Sequence, residues 1–521
     1  MKNTNLNIRN HIKESFSEVQ TVDTGKKVII VGAGLGGLAV ALRLVRYGYQ
    51  IHIIEKNQTA GGRLNRLTKD GFTWDMGPTF FSMSYEFDDF LKETGIIDAF
   101  EFEELNPLYT VNFSGTGKTY TIFKDLKKLA YEFRDIEPEF ELKMRKFLDR
   151  TGQLFHETEC LILKQNYDSL FDYLRQLFKV HPRHAPLLIR SYWKELASQF
   201  ESREVREIFS LVAFFLGGTP FDTSAVYTLL NYVELKHNGY HNVKGGMYRI
   251  VEFLLKQIKK AGISISYNTE IVDTLRIDKR LKAMVDQNRN AWHADLFVIN
   301  SDAALFRGRV LRRRKFNETS LKKMRWTMAP FTIYLGVKGK VKTLEQHNYF
   351  LGDDMKDYAS RVFTDQPDLS KPYYYVNVPS KNNPDSAPAG CESIYILCPV
   401  PHLLMKTDWK DKDAFKESII HDLSKRINYN LQENIISQTV MTPVEWERAF
   451  NLYKGSGLGL AHNLNQMAAL RPRNIDEKYE NLFYVGASTV PGTGLPMVMI
   501  SSKLVLNRIL SKYGSVRQGI S

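Results

Sequence analysis

The chain has 521 residues, 43% hydrophobic and 25% charged, with a formal net charge of +13. That length exceeds what one core normally holds, the composition excludes a disordered or collagen-like chain, and the charge favours anionic partners. Three scattered cysteines, Cys160, Cys391 and Cys398, exclude a disulfide framework and a structural zinc site, so no metal is expected.

Residues 1–25 are polar and mixed in charge, unlike a secretory signal, and are expected to form a flexible tail. Lys26 to Leu44 then reads KKVIIVGAGLGGLAVALRL. Val28–Val31 is the β-branched run of a buried parallel strand. Gly32, Gly34 and Gly37 follow as G-x-G-x-x-G: a tight turn, a close approach to pyrophosphate, and close helix–strand packing. The helix expected over Leu38–Leu44 aims its first amides at the phosphates. A second strand, IHIIE, ends in Glu55, 21 positions past Gly34, where a carboxylate accepts both ribose hydroxyls. Gly61-Gly62-Arg63 comes close behind. A second glycine pair with a forked cation suits the longer of the common dinucleotides, FAD, whose pyrophosphate needs further neutralisation.

This fingerprint, the GGR and the following GFTWDMGP together resemble the flavin amine-oxidase and carotenoid-desaturase superfamily. The resemblance implies an α/β fold: a Rossmann-like FAD-binding domain, discontinuous in sequence, with an inserted α+β substrate domain. It assigns the nucleotide half of FAD to Gly32, Ala33, Gly34, Gly36, Gly37, Glu55, Lys56, Gly62, Arg63, Gly77 and Pro78, and the adenine to backbone near Val272. Trp74 and Met76 depart from the smaller residues equally at home in that motif, and are expected to shape the flavin side.

Further along, Phe100 to Asn238 reads as a helix-rich, aromatic-rich insertion. Within it, Leu170–Lys194 mixes apolar residues with Arg175, Lys179, Arg183, Arg190 and Lys194, the composition of a peripheral membrane contact. IFSLVAFFLGG from Ile208 is the best apolar window and is too short to span a bilayer. Gly245-Gly246 precede a helix over Tyr248–Lys260, a strand ISISYNTEIV and another ending VINSDA. RGRVLRRRKF, Arg307–Phe316, reads as a solvated basic loop, with no nucleic-acid recognition motif beside it. Strands such as FTIYLGV and YYYVNVP then alternate with loops to about Val440. The divisions expected are 26–100, 239–306 and 450–514 for FAD, and 101–238 and 307–449 for substrate and membrane contact.

Near the end, LFYVGASTVPGTGLPMVMISSKLV reads as strand, glycine turn and helix. In the superfamily this segment holds the isoalloxazine end of the cofactor: Gly486 and Ala487 let backbone approach the ribityl–pyrophosphate region, and Gly492, Gly494, Leu495 and Pro496 form the turn ahead of the helix that starts near the flavin ring. Two glycine turns at opposite ends of the chain therefore serve one extended cofactor. This segment, together with GSGLGLAHNLNQMAALRPRN and FFLGGTPFDTSAVYTLLNYVE, resembles bacterial and fungal phytoene desaturases in particular.

The resemblance implies FAD-dependent desaturation of an acyclic carotenoid, phytoene first, with a hydride passing to flavin N5 and a proton lost. It also implies a lipophilic polyene substrate in an apolar tunnel, a seat on the cytoplasmic side of a membrane, and oxygen or a quinone as electron acceptor. Asp172 stands where a functional Asp is proposed in bacterial relatives, although Phe171 replaces the Arg that precedes it there; His462 and Glu234 are further candidates for the proton. Sister chemistries on a hydroxylated or C30 carotenoid, polyene isomerisation and terminal oxidation stay open. An amine oxidase with a cysteine-linked flavin is disfavoured, because no Cys follows Cys398.

Overall fold

The computed structural model describes residues 25–96, 100–364 and 372–514. The tail expected over 1–25 lies outside them except for Gly25.

The centre is a parallel five-stranded sheet in the order Leu482–Tyr484, Leu296–Ile299, Lys27–Val31, Gln50–Ile54, Ser264–Ser266. Numbered by chain position this is 5-4-1-2-3, the doubly wound order whose switch point lies between its first and fourth strands. Alternate residues feed two cores, as the period of two requires. Val28, Ile30, Ile51, Ile53 and Val298 pack under the helices Leu35–Val45, Arg249–Lys260 and Leu495–Tyr513. Ile29, Val31, Ile54, Phe297 and Ile299 face the opposite way, onto a small antiparallel sheet that includes Ile271–Ile277 and Arg280–Asp286. The central strands are covered on both faces, so VIIV and LFVI read as unbroken apolar runs.

A second sheet has seven strands, ordered Ile435–Met441, Ala329–Lys338, Cys391–Val400, Tyr374–Asn377, His347–Leu351, Tyr109–Phe113, Thr119–Ile122. One face, with Phe331, Ile333, Leu335 and Val337, packs on the helix Lys412–Ile427. The other, carrying Tyr334, Tyr349, Tyr375 and Tyr395, turns toward the helices of residues 126–232.

Three expectations change. ISISYNTEIV is not one strand: Ser264–Ser266 belongs to the parallel sheet and Ile271–Ile277 to another, with Asn268 between them in the left-handed conformation at φ 53°. The segment after Phe100 begins with strands, Phe102–Glu104, Tyr109–Phe113 and Thr119–Ile122, before its helices start. Arg307–Phe316 is only in part the solvated basic segment expected: Arg309, Arg312, Arg314 and Lys315 are exposed, but Arg307 and Arg313 are drawn inward. Arg307 is fully buried, with its guanidinium 3.6 Å from the centroid of Tyr484 and its Nε 3.2 Å from Glu477. Arg313 binds the buried Asp476 at 2.5 Å.

Candidate active site

The two glycine segments meet at the switch point, around the single side chain of Asn300. A Cβ on Gly34 would lie 2.6 Å from Asn300 Nδ2, and one on Gly36 would lie 2.5 Å from its Oδ1. Gly486, 450 residues later in the chain, would meet that same Oδ1 at 2.9 Å. Gly32 and Gly486 also need positive φ, 105° and 104°. The N-terminal turn is tied to the GGR segment, because Gly61 N–H donates to Ala33 O at 2.9 Å.

Glu55 stands just past the strand Gln50–Ile54, beside the N-terminal glycine turn. Its two carboxylate oxygens accept one backbone bond each, from Ala33 N at 2.7 Å and Asn57 N at 2.9 Å, leaving lone pairs for two hydroxyls. The helix Leu35–Val45 starts at Gly34 with no side-chain cap and no acid in its first turn, so its leading amides are free for an anion. Arg63 faces the same space, and its guanidinium donates to Gly457 O at 3.0 Å. Burial pulls its pKa down while the charge of Asp302 opposes the shift. A forked cation largely withdrawn from water, with donors to spare, calls for an anionic ligand.

At the other end Gly494, at φ 118°, starts the helix Leu495–Tyr513, again with no acid in its first turn and with Pro496 just inside. A Cβ on Gly492 would fall 2.7 Å from His462 Nε2, which accepts from Thr493 N at 3.3 Å. Burial holds His462 well below its usual pKa, so the ring is neutral. These two turns, an acceptor for ribose and a cation between them fit an extended FAD.

One cavity of about 950 Å³ joins these parts. It is lined by Gly32, Gly34, Gly36, Glu55, Lys56, Gly62, Arg63, Gly77, Pro78, Val272, Gly486, Ala487, Gly494, Leu495 and Pro496. Lys56 reaches it with its Nζ spent on Arg448 O and Asn451 Oδ1, both at 2.9 Å. Ala33 and Gly37 stand behind the lining: Ala33 offers its amide to Glu55, and Gly37 packs on the carbonyl of Gly32. Asp172 is absent from the lining. It caps its own helix, Leu170–Leu177, accepting from Ser169 N at 2.9 Å and Ser169 Oγ at 2.8 Å. Trp74 and Met76 do not shape the flavin side either. Trp74 is 1% exposed between the Arg66–Asp75 hairpin and the seven-stranded sheet, donating to Leu335 O, and the Met76 carbonyl accepts from Tyr334.

Asn300, Ser301 and Asp302 line the cavity without having been singled out as site residues. Their signal was available: a polar triplet directly after the apolar strand LFVI, where a doubly wound sheet places its ligand.

Beyond the glycines the cavity becomes apolar, running past Phe214, Phe215 and Leu230. Glu234 lies outside its lining, fully buried, with Tyr109 OH donating to its Oε1 at 2.7 Å. Burial pushes this carboxyl up to about 7, against the hydrogen bonds that lower it. An acid with a raised folded pKa costs stability as pH climbs from its usual value toward 7, here up to roughly 3 kcal/mol. Glu234→Gln is therefore expected to lose less Tm than the unsubstituted chain between pH 5 and pH 8. Identical losses in differential scanning fluorimetry would contradict it.

The model of the flavin containing amine oxidoreductase family matches residues 35–510. A zeta-carotene-forming phytoene desaturase of Myxococcus xanthus is 31% identical, covering 94% of each chain. A phytoene desaturase of Fusarium fujikuroi is 30% identical over 94% of this chain and 90% of its own. Among solved structures, an oxidoreductase from Methanosarcina mazei superposes with a TM-score of 0.61 at 17% identity, covering 92% of this chain and 100% of its own. Putrescine oxidase bound to putrescine gives 0.60 at 15%, covering 93% and 99%. At such identities the two structures share the fold alone.

Proposed function

We propose, from the premise that this chain belongs to the carotenoid desaturase group of the flavin containing amine oxidoreductase family, that it desaturates an acyclic carotenoid, with phytoene the first substrate to test. The observation that carries this is the continuity of the cavity: one space runs from the glycine turns and Arg63 into an apolar, aromatic chamber. FAD is the cofactor, and when bound it supplies the acceptor for the hydride that leaves the polyene. The chain's own share is placement and exclusion of water. Gly32–Gly37 and Arg63 would hold the pyrophosphate, Glu55 the ribose, and the turn Gly492–Pro496 the redox end. Phe214, Phe215 and Leu230 offer a hydrocarbon no polar grip, so they align it by shape. Co-expression with a phytoene-producing pathway tests the proposal. A red-shifted polyene supports it; phytoene left unchanged or merely isomerised would exclude phytoene, and a terminally hydroxylated acyclic polyene left equally unchanged would refute the desaturase reading.

The route of such a substrate points to a bilayer. No helix among the described residues is long and apolar enough to cross a membrane. Yet Phe171, Phe178 and Ile189 are 74%, 86% and 87% exposed, with Leu170 and Leu174 beside them. Tyr173, Leu177 and Leu188, from the same two helices, line the cavity. Arg175 and Lys179 are exposed along this face, where anionic headgroups attract cations. Arg183 is engaged by Glu157 at 2.7 Å and Arg190 by the buried Glu195 at 2.8 Å, and both contribute less. We therefore place this face on the membrane as the entry for substrate, and oxygen or a membrane quinone as the acceptor that reoxidises the cofactor. Changing Phe171, Phe178 and Ile189 together to Ser is expected to reduce liposome binding about 100-fold or more, from roughly 1.5–3 kcal/mol lost per buried side chain. Charge reversal of Arg175 and Lys179 should weaken binding only on anionic vesicles. Unchanged sedimentation in both cases would remove this face from the account.

A further inference from the structure

On the side of the seven-stranded sheet the cavity ends among tyrosines rather than hydrocarbon. Phe80 lines this end, its ring 4.7 Å from Tyr240 and 6.3 Å from Tyr375 between centroids. Tyr349 lies 5.0 Å and Tyr395 6.4 Å from Tyr375, and all four tyrosines line the cavity.

Their hydroxyls are unequally served. Tyr375 OH bonds Thr79 Oγ1 at 2.7 Å and His347 Nδ1 at 2.5 Å. Two other nearby tyrosines are paired, Tyr374 of the sheet with Asp422 at 2.6 Å and Tyr358 of the helix Met355–Arg361 with Pro399 O at 2.8 Å. Tyr349, Tyr373 and Tyr395, all buried and all lining the cavity, have hydroxyls with no hydrogen-bond partner among the described residues, and two of them, Tyr349 and Tyr395, stand beside Tyr375. Burying a hydroxyl without a partner is costly, and buried hydroxyls normally have one. Phenylalanine would fill the same space at no such cost, so unpaired hydroxyls in the wall of an otherwise apolar cavity call for an occupant that hydrogen-bonds.

We propose that this end is a hydrogen-bonding subsite, and that the polyene this chain takes carries an oxygen function, a hydroxyl or a carbonyl, on the end group that enters it. The proposal rests on the polyene-oxidising reading and narrows its substrate class. A pure hydrocarbon leaves Tyr349 and Tyr395 unpaired and desolvated; an oxygenated end group meets them. Phe80 and Phe215, whose rings stand 5.6 Å apart, keep the adjoining wall apolar for the chain behind that group.

The test uses the full, flavin-loaded chain in phosphatidylcholine–phosphatidylglycerol liposomes. It compares an acyclic hydrocarbon polyene with the same skeleton bearing one terminal hydroxyl. Binding is read by quenching of protein fluorescence, and turnover by the polyene spectrum. The hydroxylated polyene is expected to bind at least about tenfold more tightly. The double substitution Tyr349→Phe, Tyr395→Phe should bring that ratio to within about twofold. Equal binding of the two polyenes by the unsubstituted chain, or a ratio that survives both substitutions, would overturn the subsite and assign the hydroxyls to trapped water. A hydroxyl preference in binding with neither polyene oxidised would support the subsite while overturning the desaturase reading.

Discussion

Gly37→Ala is expected to yield a colourless protein with less than about a tenth of the normal flavin content and at least a 100-fold loss of turnover. A Cβ at this position would stand 2.1 Å from the carbonyl oxygen of Gly32 and 3.3 Å from its carbon, so backbone, not a flexible side chain, has to move. The backbone that moves is the turn after Lys27–Val31, which packs on Asn300 and whose amides would bind the pyrophosphate under the proposed function. Displacing a positioned group by about 1 Å costs on the order of 100-fold in rate, and overpacking adds about 1–3 kcal/mol of instability. Flavin absorbance per mole of protein is the readout. A yellow, fully loaded variant would mean that this turn does not hold the cofactor.

Arg63→Ala is expected to weaken FAD binding by about 10- to 100-fold, the range for losing hydrogen bonds to a charged group. The side chain lies against the cavity, donates to Gly457 O, and feels Asp302 as its nearest opposing charge. Removing it leaves the half-buried Asp302 without that cation, so the apo chain should also lose stability at neutral pH. Arg63→Lys keeps the charge but not the fork, and should recover only part of the affinity. Calorimetric titration of the apo chain with FAD separates the three. Equal affinities would remove Arg63 from the pyrophosphate site.

The cofactor end of this molecule was readable because glycine chemistry is local. Gly32 and Gly37 answer to a turn and a close contact within a few residues of themselves. The parts that escaped reading depend on partners far away in sequence. Arg307 and Arg313 look like solvated charge until Asp476, Glu477 and Tyr484 are folded onto them. The break at Asn268 was hidden because apolar residues continue on both sides of it, Ile263 and Ile265 before, Ile271 and Val272 after. Trp74 seemed a feature of the flavin pocket by its place in GFTWDMGP, but Leu335 and Tyr334 claim it for the core of the other sheet. Asn300 shows its importance only once three glycines from two distant segments are seen to crowd it.

The account stands on electrons leaving a polyene held in the chamber behind the glycine turns, and anaerobic single turnover tests that most directly. Flavin-loaded protein in liposomes, mixed in the absence of oxygen with phytoene or with a terminally hydroxylated acyclic polyene, should with one of them lose its yellow absorbance by one flavin for each double bond gained, as the polyene spectrum moves to the red. A flavin that stays oxidised beside an unchanged polyene chromophore would contradict it.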